Sequence, residues 1–355
     1  MAKLELDNGT VIQDYAKPYV IAELGSNHNG DMGLAKKLIL QAKACGCDCV
    51  KFQSWTKDTI FSKKVYEDNY FLQDDYRNRD DYTLQEIVDE FSISEKQLYE
   101  MSELCQEIGI DFSSSPFSKK EVDFLADTCK VPFIKVASMD LDNYPFLRYI
   151  ARKNIPIILA TGLSSMSEVA RAVESIENEG NNKIFLLHCI SVYPPKFEDI
   201  NLNNILTLRT MFPDYPIGFS DHSLGIEIPT AATALGASII EKHFTLDKDM
   251  FGWDHKISAD PKEMKQLTEA CHHVQLALGS TKRIVNKDEI EKRLAFRRSI
   301  VAARELSAGM VLNESDLTLK RPGTGMPPVK LFDIVGRKLA RNVEYDKIIE
   351  REDLL

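Results

Sequence analysis

The sequence lacks the features that would place it in several large classes of proteins. None of its 355 residues belongs to an apolar stretch long enough to span a bilayer, and the amino-terminal segment lacks the apolar core of a signal peptide. The seven cysteines are odd in number and form no CxxC pair, which argues against a disulfide framework and indicates a reducing compartment. We therefore expect a cytoplasmic protein with no membrane partner.

An excess of positive charge is also missing. The chain has 44 Lys and Arg against 54 Asp and Glu, which gives a formal net charge of -10. Proteins that bind nucleic acids hold the phosphates with surplus Lys and Arg, so this balance predicts no nucleic-acid partner. An anionic small molecule remains compatible with it, because a few buried cations can set the local field.

What the sequence does contain is a repeated strand and helix pattern. The first twelve residues indicate a hairpin with a turn at Asp7-Asn8-Gly9. Segments with helical periodicity, such as Met32–Ala44 and Glu95–Ile108, then alternate with eight short apolar runs. These runs are Tyr19–Ala22, Cys49–Phe52, Asp111–Ser113, Phe133–Val136, Ile157–Leu159, Ile184–Leu187, Ile217–Phe219 and Ile239–Ile240. Eight strand-helix units within about 250 residues predict an α/β fold of the (β/α)8 TIM-barrel type.

The barrel prediction divides the chain into three parts. We expect a catalytic barrel over residues 1–281, with the hairpin in 1–14, then a charged linker over 282–297 and a small β-rich domain over 298–355. A domain of about 60 residues has little core of its own. The connection formed by residues 54–92 is unusually long, and it either shapes a site or forms a surface excursion with short helices.

Polar residues follow every predicted strand, at the end of a barrel where catalytic groups are found. Two of them, His222 and His243, end adjacent strands, so their rings can converge on one cation. Two imidazoles with a carboxylate or water suit Mn²⁺, Fe²⁺, Co²⁺ or Zn²⁺. Glu23 is the nearest candidate carboxylate, either as an outer ligand through water or as a proton acceptor for a metal-bound water.

A second group of polar strand ends indicates an anion site. Lysine is unfavourable inside a barrel mouth unless an anion meets it. Two lysines with several hydroxyl donors suit a small molecule that carries a phosphate and a carboxylate, as phosphoenolpyruvate does. The alternative is a Schiff-base lysine of the class I aldolase type, which needs a depressed pKa. The residues concerned are Lys51, Lys135, Ser115, Ser138 and Ser220.

These motifs resemble, in the same order, those of the sialic acid synthase family, which makes N-acetylneuraminic, legionaminic and pseudaminic acids. The resemblance extends from about residue 15 to the end of the chain. The tail resembles that family's antifreeze-like SAF domain, a β-clip fold. The motifs are Glu23–Gly30, Lys51–Gln53, Ser115–Phe117, Lys135–Ser138, Thr161–Gly162, His188–Cys189, Tyr193–Pro194, Ser220–His222, Glu241–Phe244 and Lys320–Gly323.

The resemblance implies the roles of these residues. His222 and His243 would be the ligands of Mn²⁺, with Mg²⁺ or Co²⁺ as alternatives, and Glu23 would orient or deprotonate water. Lys51, Ser115, Lys135, Ser138 and Ser220 would hold phosphoenolpyruvate. Gln53, Tyr193 and Asp254 would hold an N-acylated mannose-type sugar. The family also implies a homodimer in which each tail caps the partner's barrel and Arg321 reaches the N-acyl group.

The acceptor sugar is less determined than the reaction. Ser191 and Ala160 depart from the neuraminate-type residues, Asn and Ser. The loop Phe251–Lys256 is more similar to legionaminate-type members and favours a 6-deoxy diacetamido sugar, while its Trp253 either narrows the sugar pocket or packs against the long loop. Neuraminate and pseudaminate synthases are alternatives, as is a barrel that condenses phosphoenolpyruvate with another aldose. A non-catalytic polysaccharide- or ice-associated protein is the alternative outside enzymes.

Overall fold

A computed structural model describes residues 1–69 and 83–355. The chain forms two compact units, Met1–Gly279 and Ser280–Leu355, and each is described by itself. Within the described residues, no helix is both long enough and apolar enough to cross a membrane.

Eight parallel strands of the first unit form a nearly closed barrel, which confirms the predicted fold. The hydrogen-bonded order is β5-β4-β3-β10-β9-β8-β7-β6, so in the described part of the chain the ladder ends at β5 and β6. The Ser113 hydroxyl crosses this seam and donates to the Phe133 carbonyl at 2.8 Å. The strands are β3 (Tyr19–Gly25), β4 (Cys49–Gln53), β5 (Asp111–Ser115), β6 (Ile134–Val136), β7 (Ile157–Ala160), β8 (Ile184–Cys189), β9 (Ile217–Asp221) and β10 (Ile239–His243).

A short hairpin closes the amino-terminal end of the barrel. Its strands β1 (Lys3–Glu5) and β2 (Val11–Gln13) pair antiparallel. Leu6 and Ile12 of the hairpin are buried in one apolar cluster with inward-facing strand residues such as Phe185. Because this end is filled with apolar side chains, polar groups can gather at the opposite, carboxyl-terminal end of the strands.

Helices surround the barrel and bury the outer faces of its strands. The predicted helices Met32–Ala44 and Glu95–Ile108 are confirmed at both ends. Asp31 caps the first, and Gly109 ends the second in a left-handed conformation that favours glycine. The outer helices are α1 (Met32–Ala44), α5 (Glu95–Ile108), α6 (Lys119–Asp123), α7 (Tyr144–Ala151), α8 (Met166–Glu177), α9 (Phe197–Ile200), α10 (Asn204–Met211), α11 (Glu227–Ala234) and α12 (Pro261–Leu278).

The long connection after β4 carries three short helices in its described part, α2 (Lys57–Ile60), α3 (Lys63–Asp68) and α4 (Leu84–Phe91). Residues 70–82 of the predicted 54–92 loop lie outside the described residues. The helices enclose a separate apolar cluster, which we call the insertion cluster. It consists of Trp55, Leu84, Ile87, Val88 and Phe91, with Phe251 and Trp253 packed against it.

The second unit is small and largely built from short extended pieces. Its helix α13 (Lys287–Phe296) precedes the antiparallel pair β11 (Ser299–Ala302) and β12 (Leu317–Lys320), and α14 (Leu331–Ile334) follows. Isolated bridges such as Val301 with Ile348 extend the pairing. A core of its own, which includes Ile300, Leu312 and Ile349, shows that this β-rich unit buries apolar surface independently.

Candidate active site

A cavity of about 250 Å³ opens at the carboxyl ends of the barrel strands. Ten of the twelve residues predicted for the site line it, together with Phe117, Ala160, Cys189, Ser191 and Glu241. The expectation that catalytic groups lie at the carboxyl ends of barrel strands therefore identified residues that are far apart in the sequence and close together in the fold. The ten are Glu23, Lys51, Gln53, Ser115, Lys135, Ser138, Tyr193, Ser220, His222 and His243.

The two cavity lysines are buried among carboxylates and hydroxyls. Lys51 Nζ lies 2.5 Å from Glu23 Oε2, 3.8 Å from Glu241 Oε2 and 3.1 Å from the Ser115 hydroxyl. Lys135 Nζ lies 3.4 Å from Glu241 Oε1. Glu241 thus stands between both ammonium groups, and Ser220 donates to it at 2.9 Å. Each buried positive charge is compensated within the protein.

The charges of this cluster are set by the competition between burial and ion pairing. Burial raises the pKa of Glu241, but Lys135 and Lys51 outweigh burial and lower it to about 2. Burial lowers the pKa of Lys51, but Glu23 and Glu241 outweigh it and raise the pKa above its usual value. This direction is opposite to what a Schiff-base lysine needs, which argues against the aldolase-type alternative at Lys51.

The two histidines predicted as metal ligands face each other across the cavity. Their ring centroids are 5.4 Å apart, and the Tyr193 ring stacks on His222 at 4.1 Å. His222 Nδ1 donates to the Ile190 carbonyl at 2.7 Å, so Nε2 is available as a ligand atom. His243 Nδ1 is buried without a hydrogen bond to the described residues, and Asp254 Oδ2 lies 3.6 Å away.

The environments of the two imidazoles differ. Burial, and then the charge of His222, lower the pKa of His243 well below its usual range, so this ring is neutral. Burial lowers the pKa of His222 as well, but the Cys189 sulfur, 3.9 Å from Nδ1, raises it to about 9. A cation at His222 therefore has to displace a proton. Among the described residues, no group of three or more His, Cys, Asp and Glu side chains is arranged to hold a metal.

The backbone of Gly162 lies close to two serine hydroxyls of the cavity, those of Ser138 and Ser191. Its backbone N–H donates to the Ser138 hydroxyl at 3.1 Å. A Cβ at this position would lie 2.3 Å from the Ser191 hydroxyl and 2.7 Å from that of Ser138. Glycine is required here for space, and Ser191 and Ala160, the two departures from the neuraminate-type pattern, both line the cavity.

The other two predicted residues lie outside the cavity lining. Asp254 stands beside His243 on the loop after β10, at the 3.6 Å distance given above. Arg321 belongs to the second unit, where its guanidinium lies 5.1 Å from the centre of the Phe296 ring. Sequence reasoning missed Glu241. It could have been found, because residues two apart on a strand point to the same side and His243 was already assigned.

Behind the imidazoles, a buried ion pair joins β9 and β10. Lys242 Nζ donates to Asp221 Oδ2 at 2.6 Å and to the Ser223 carbonyl at 2.7 Å. Both side chains are almost fully buried, and each is the sequence neighbour of a cavity histidine. The pair therefore fixes the two strand ends that carry His222 and His243.

The fold and the cavity define a class: a TIM-barrel protein with a buried cationic pocket for an anionic small molecule beside two imidazoles. Comparison with known families then gives the particular family. The chain belongs to the NeuB family, whose model matches residues 38–283, and residues 297–355 match the SAF domain. The resemblance to sialic acid synthases is confirmed, and with it the prediction of a synthase-type enzyme.

Relatives with different products are similarly close to this chain. An N,N'-diacetyllegionaminic acid synthase of Legionella pneumophila is 39% identical over 92% of this chain and 91% of its own length. An N-acetylneuraminate-9-phosphate synthase of Homo sapiens is 36% identical over 99% of this chain and 96% of its own. The crystal structure of an N-acetylneuraminic acid synthetase from Leptospira borgpetersenii, in complex with citrate, has a TM-score of 0.71 at 32% identity, covering 82% of this chain and 94% of that chain.

Proposed function

We propose that the protein condenses phosphoenolpyruvate with the open-chain form of an N-acylated mannose-type sugar and releases phosphate to give a nonulosonic acid. The observation that carries the proposal is the buried pair Lys51 and Lys135 among hydroxyls at the barrel mouth. Two cations within one small cavity suit a ligand with two anionic groups. Family membership and the names of the relatives support the same reaction.

The polar residues would divide between two parts of phosphoenolpyruvate. Lys51 and Ser115 come from β4 and β5, whereas Lys135 and Ser138 come from and follow β6. Ser220 would be the third hydroxyl near the ligand, and it donates a hydrogen bond to Glu241 in this structure. The carboxylates Glu23 and Glu241 already compensate both lysines, so an incoming dianion would share the lysines with them.

Bond making and breaking follow from this placement. The C2=C3 electron pair of phosphoenolpyruvate forms the new bond from C3 to the aldehyde carbon of the sugar, which leaves C2 electron-deficient. The aldehyde oxygen becomes a hydroxyl by taking up the proton that the attacking water releases. Water adds to C2, and Glu23, whose pKa burial raises, orients that water or takes its proton. In the hydrated intermediate the bond between C2 and the bridging phosphate oxygen then breaks. Phosphate leaves with that oxygen, stabilised by the lysines, and the C2 hydroxyl loses its proton to the leaving phosphate and becomes the ketone.

We also propose that His222 and His243 hold a divalent cation, with Mn²⁺ favoured by the resemblance and Mg²⁺ or Co²⁺ as alternatives. The facing rings, the available Nε2 of His222 and the neutral, unbonded Nδ1 of His243 fit a ligand pair. With two protein imidazoles in reach, the remaining ligands would be water, substrate or a neighbouring carboxylate. Such a cation would polarise the sugar aldehyde as a Lewis acid.

For the acceptor we favour a 6-deoxy diacetamido sugar, as in a legionaminate-type synthase, with neuraminate and pseudaminate synthases as alternatives. Gln53, Tyr193 and Asp254 would contact this sugar. Homodimerisation, with Arg321 of one chain at the sugar of the other, belongs to the same proposal and is supported by the family resemblance.

The test is phosphate release from phosphoenolpyruvate with Mn²⁺, comparing three acceptors: 2,4-diacetamido-2,4,6-trideoxymannose, N-acetylmannosamine and N-acetylmannosamine 6-phosphate. Turnover with the first sugar alone is the expected result. A preference for either of the others would make the protein a neuraminate-type synthase. Turnover with none of the three would overturn the assigned acceptor class.

Metal dependence is tested with EDTA and a matched pair of variants. His222→Gln is expected to lose Mn²⁺-dependent turnover and Mn²⁺ binding measured by calorimetry. His188→Gln is the control, because His188 is also a buried histidine at a strand end, yet it bonds to the Ile200 carbonyl and does not line the cavity. Turnover that persists in EDTA would overturn the metal proposal.

A further inference from the structure

Trp55 links the insertion cluster to the active-site cavity. It lies two residues after β4, and only 1% of its surface is exposed. Its ring packs in the insertion cluster against helix α4, with the Trp253 ring centre 5.5 Å away. Its indole nitrogen, however, points to the barrel, where it donates to Gln53 Oε1 at 3.0 Å.

This hydrogen bond fixes which way the Gln53 amide faces. Indole N–H can only donate, and an ionised carboxylate can only accept. Gln53 accepts from Trp55 through Oε1 and donates through Nε2 to Glu23 Oε1 at 3.0 Å. A flipped amide would place N–H against N–H and oxygen against the Glu23 carboxylate. The two neighbours thus determine the orientation that a glutamine alone leaves open.

We propose that Trp55 is a positioning residue for the acceptor sugar, because it fixes the Gln53 amide in the orientation that offers an N–H donor to the cavity. The inference rests on the proposed function, because it assigns the sugar to the Gln53 side of the site. Oε1 accepts from Trp55 and one N–H is engaged by Glu23, so the donor that Gln53 still offers a ligand is its second N–H. The sugar atom that meets it is therefore an acceptor, a hydroxyl or acyl carbonyl oxygen.

The same arrangement makes the insertion cluster part of the specificity machinery. Leu84, Val88 and Phe91 of α4 are buried in the same apolar cluster as the Trp55 ring, whose indole nitrogen donates to Gln53. Lys51, Ser115 and Lys135 form the anion pocket without Trp55. A substitution at Trp55 therefore changes the binding of the sugar, through Gln53. It does not change the residues that bind phosphoenolpyruvate.

The principal variant is Trp55→Phe, which keeps an aromatic ring and removes the donor. We expect the KM for the acceptor sugar to rise about tenfold, the effect of one lost hydrogen bond, while kcat and the KM for phosphoenolpyruvate change less than about threefold. Phe91→Leu is the packing control, because it removes a ring from the same cluster and no hydrogen bond. Equal sugar KM shifts in both variants would assign Trp55 to packing alone and overturn the proposal.

Two further variants test the route through Gln53. If Trp55 acts through Gln53, Trp55→Phe combined with Gln53→Ala raises the sugar KM no more than Gln53→Ala alone, whereas additive effects would overturn the proposal. Gln53→Glu keeps the acceptor for Trp55 and removes the N–H, so its sugar KM is also expected to rise. Where Trp55→Phe fails to fold, an unchanged KM of this variant would still exclude the donor role of Gln53 and overturn the proposal.

The unmodified protein is measured first, so that the two proposals fail separately. An active protein whose Trp55→Phe variant keeps the original sugar KM overturns this inference and leaves the proposed function standing. An unmodified protein without turnover on any of the three sugars overturns both.

Discussion

Glu241 shows how a single side chain can both stabilise a binding pocket and compete with its ligand. The carboxylate lies 3.8 Å from Lys51 and 3.4 Å from Lys135, the two cations that would bind phosphoenolpyruvate. Burial raises its pKa, but Lys135 and Lys51 outweigh burial and lower it to about 2, so the carboxylate is ionised near neutral pH. A bound dianion must share these lysines with it, and the repulsion lowers the net affinity.

Glu241→Gln is therefore expected to bind phosphoenolpyruvate at least about tenfold more tightly, because it removes a negative charge while Ser220 retains an acceptor. Calorimetric titration in EDTA measures the affinity without turnover. Glu177→Gln is the control, since this carboxylate accepts from Tyr215 far from the cavity and its loss leaves the affinity unchanged. Weaker binding by Glu241→Gln would show that the carboxylate holds the lysines in place more than it competes for them.

Most of the individual site residues could be predicted from the sequence, because the carboxyl ends of barrel strands meet at one end of the barrel however the helices pack. Lys51 and Lys135 could be placed from that rule alone. Trp55 could not, because its role depends on α4 folding back over the end of β4. The orientation of an amide is likewise a property of its neighbours, and no pattern around Gln53 encodes it.

Among the elements, β9 and β10 are held together by more than their ladder. The buried pair Asp221 and Lys242 crosses between them next to the two cavity histidines. Removing one partner leaves an uncompensated charge in the interior, whereas removing both leaves apolar side chains that can pack. The pair therefore contributes to the register of the strand ends more than its net effect on stability suggests.

Lys242→Met is expected to lower the free energy of unfolding by about 3 to 5 kcal/mol, and the double variant with Asp221→Leu to recover most of that loss. Urea unfolding at pH 7 measures both. Lys330→Met is the matched control, because its pair with Asp333 is more than half exposed and contributes at most about 0.5 kcal/mol. A double variant as unstable as the single one would mean that the cost lies in packing instead of in the unpaired charge.

The predicted strands were placed correctly, but seven of the eight ended too early, while β6 (Ile134–Val136) ends at the predicted residue. The apolar pattern predicted Ile239–Ile240, whereas β10 continues to His243. The same shortening affects β9 and β5. The missing residues of β9 and β10 are polar because they line the cavity or, like Asp221 and Lys242, form the ion pair beside it. The hydrophobic signal on which strand prediction depends is therefore absent at these strand ends.

For the whole molecule, buried histidines connect stability to pH. Burial, and then the charge of His255, lower the pKa of His28 to about 4, and burial lowers that of His255 to about 4. His255 Nδ1 hydrogen-bonds the Thr245 hydroxyl, and Nε2 lies 3.1 Å from Asn29 Oδ1. In the unfolded chain both rings take up protons near pH 6.5, so their contribution to stability is present above that pH and is lost as pH falls toward 4.

We expect the free energy of unfolding to fall as pH drops from 6.5 to 4, and His255→Gln to reduce the slope by up to about 1.4 kcal/mol per pH unit. Urea titrations in EDTA at several pH values measure the slope. His272→Gln is the control, because His272 is exposed on α12 and its loss leaves the slope unchanged. An identical slope for His255→Gln would show that this ring does not take part in acid unfolding.

The seam between β5 and β6 has a consequence for the mechanics of the barrel. Lys51 and Ser115 lie on one side of this break, and Lys135 and Ser138 lie on the other. A dianion bound by residues on both sides of the seam would connect β5 and β6, the two strands at which the hydrogen-bonded order ends, and would act as a reversible cross-link. Binding of the proposed substrate would then stiffen the barrel where its backbone bonding stops, and amide hydrogen exchange in these two strands would measure occupancy.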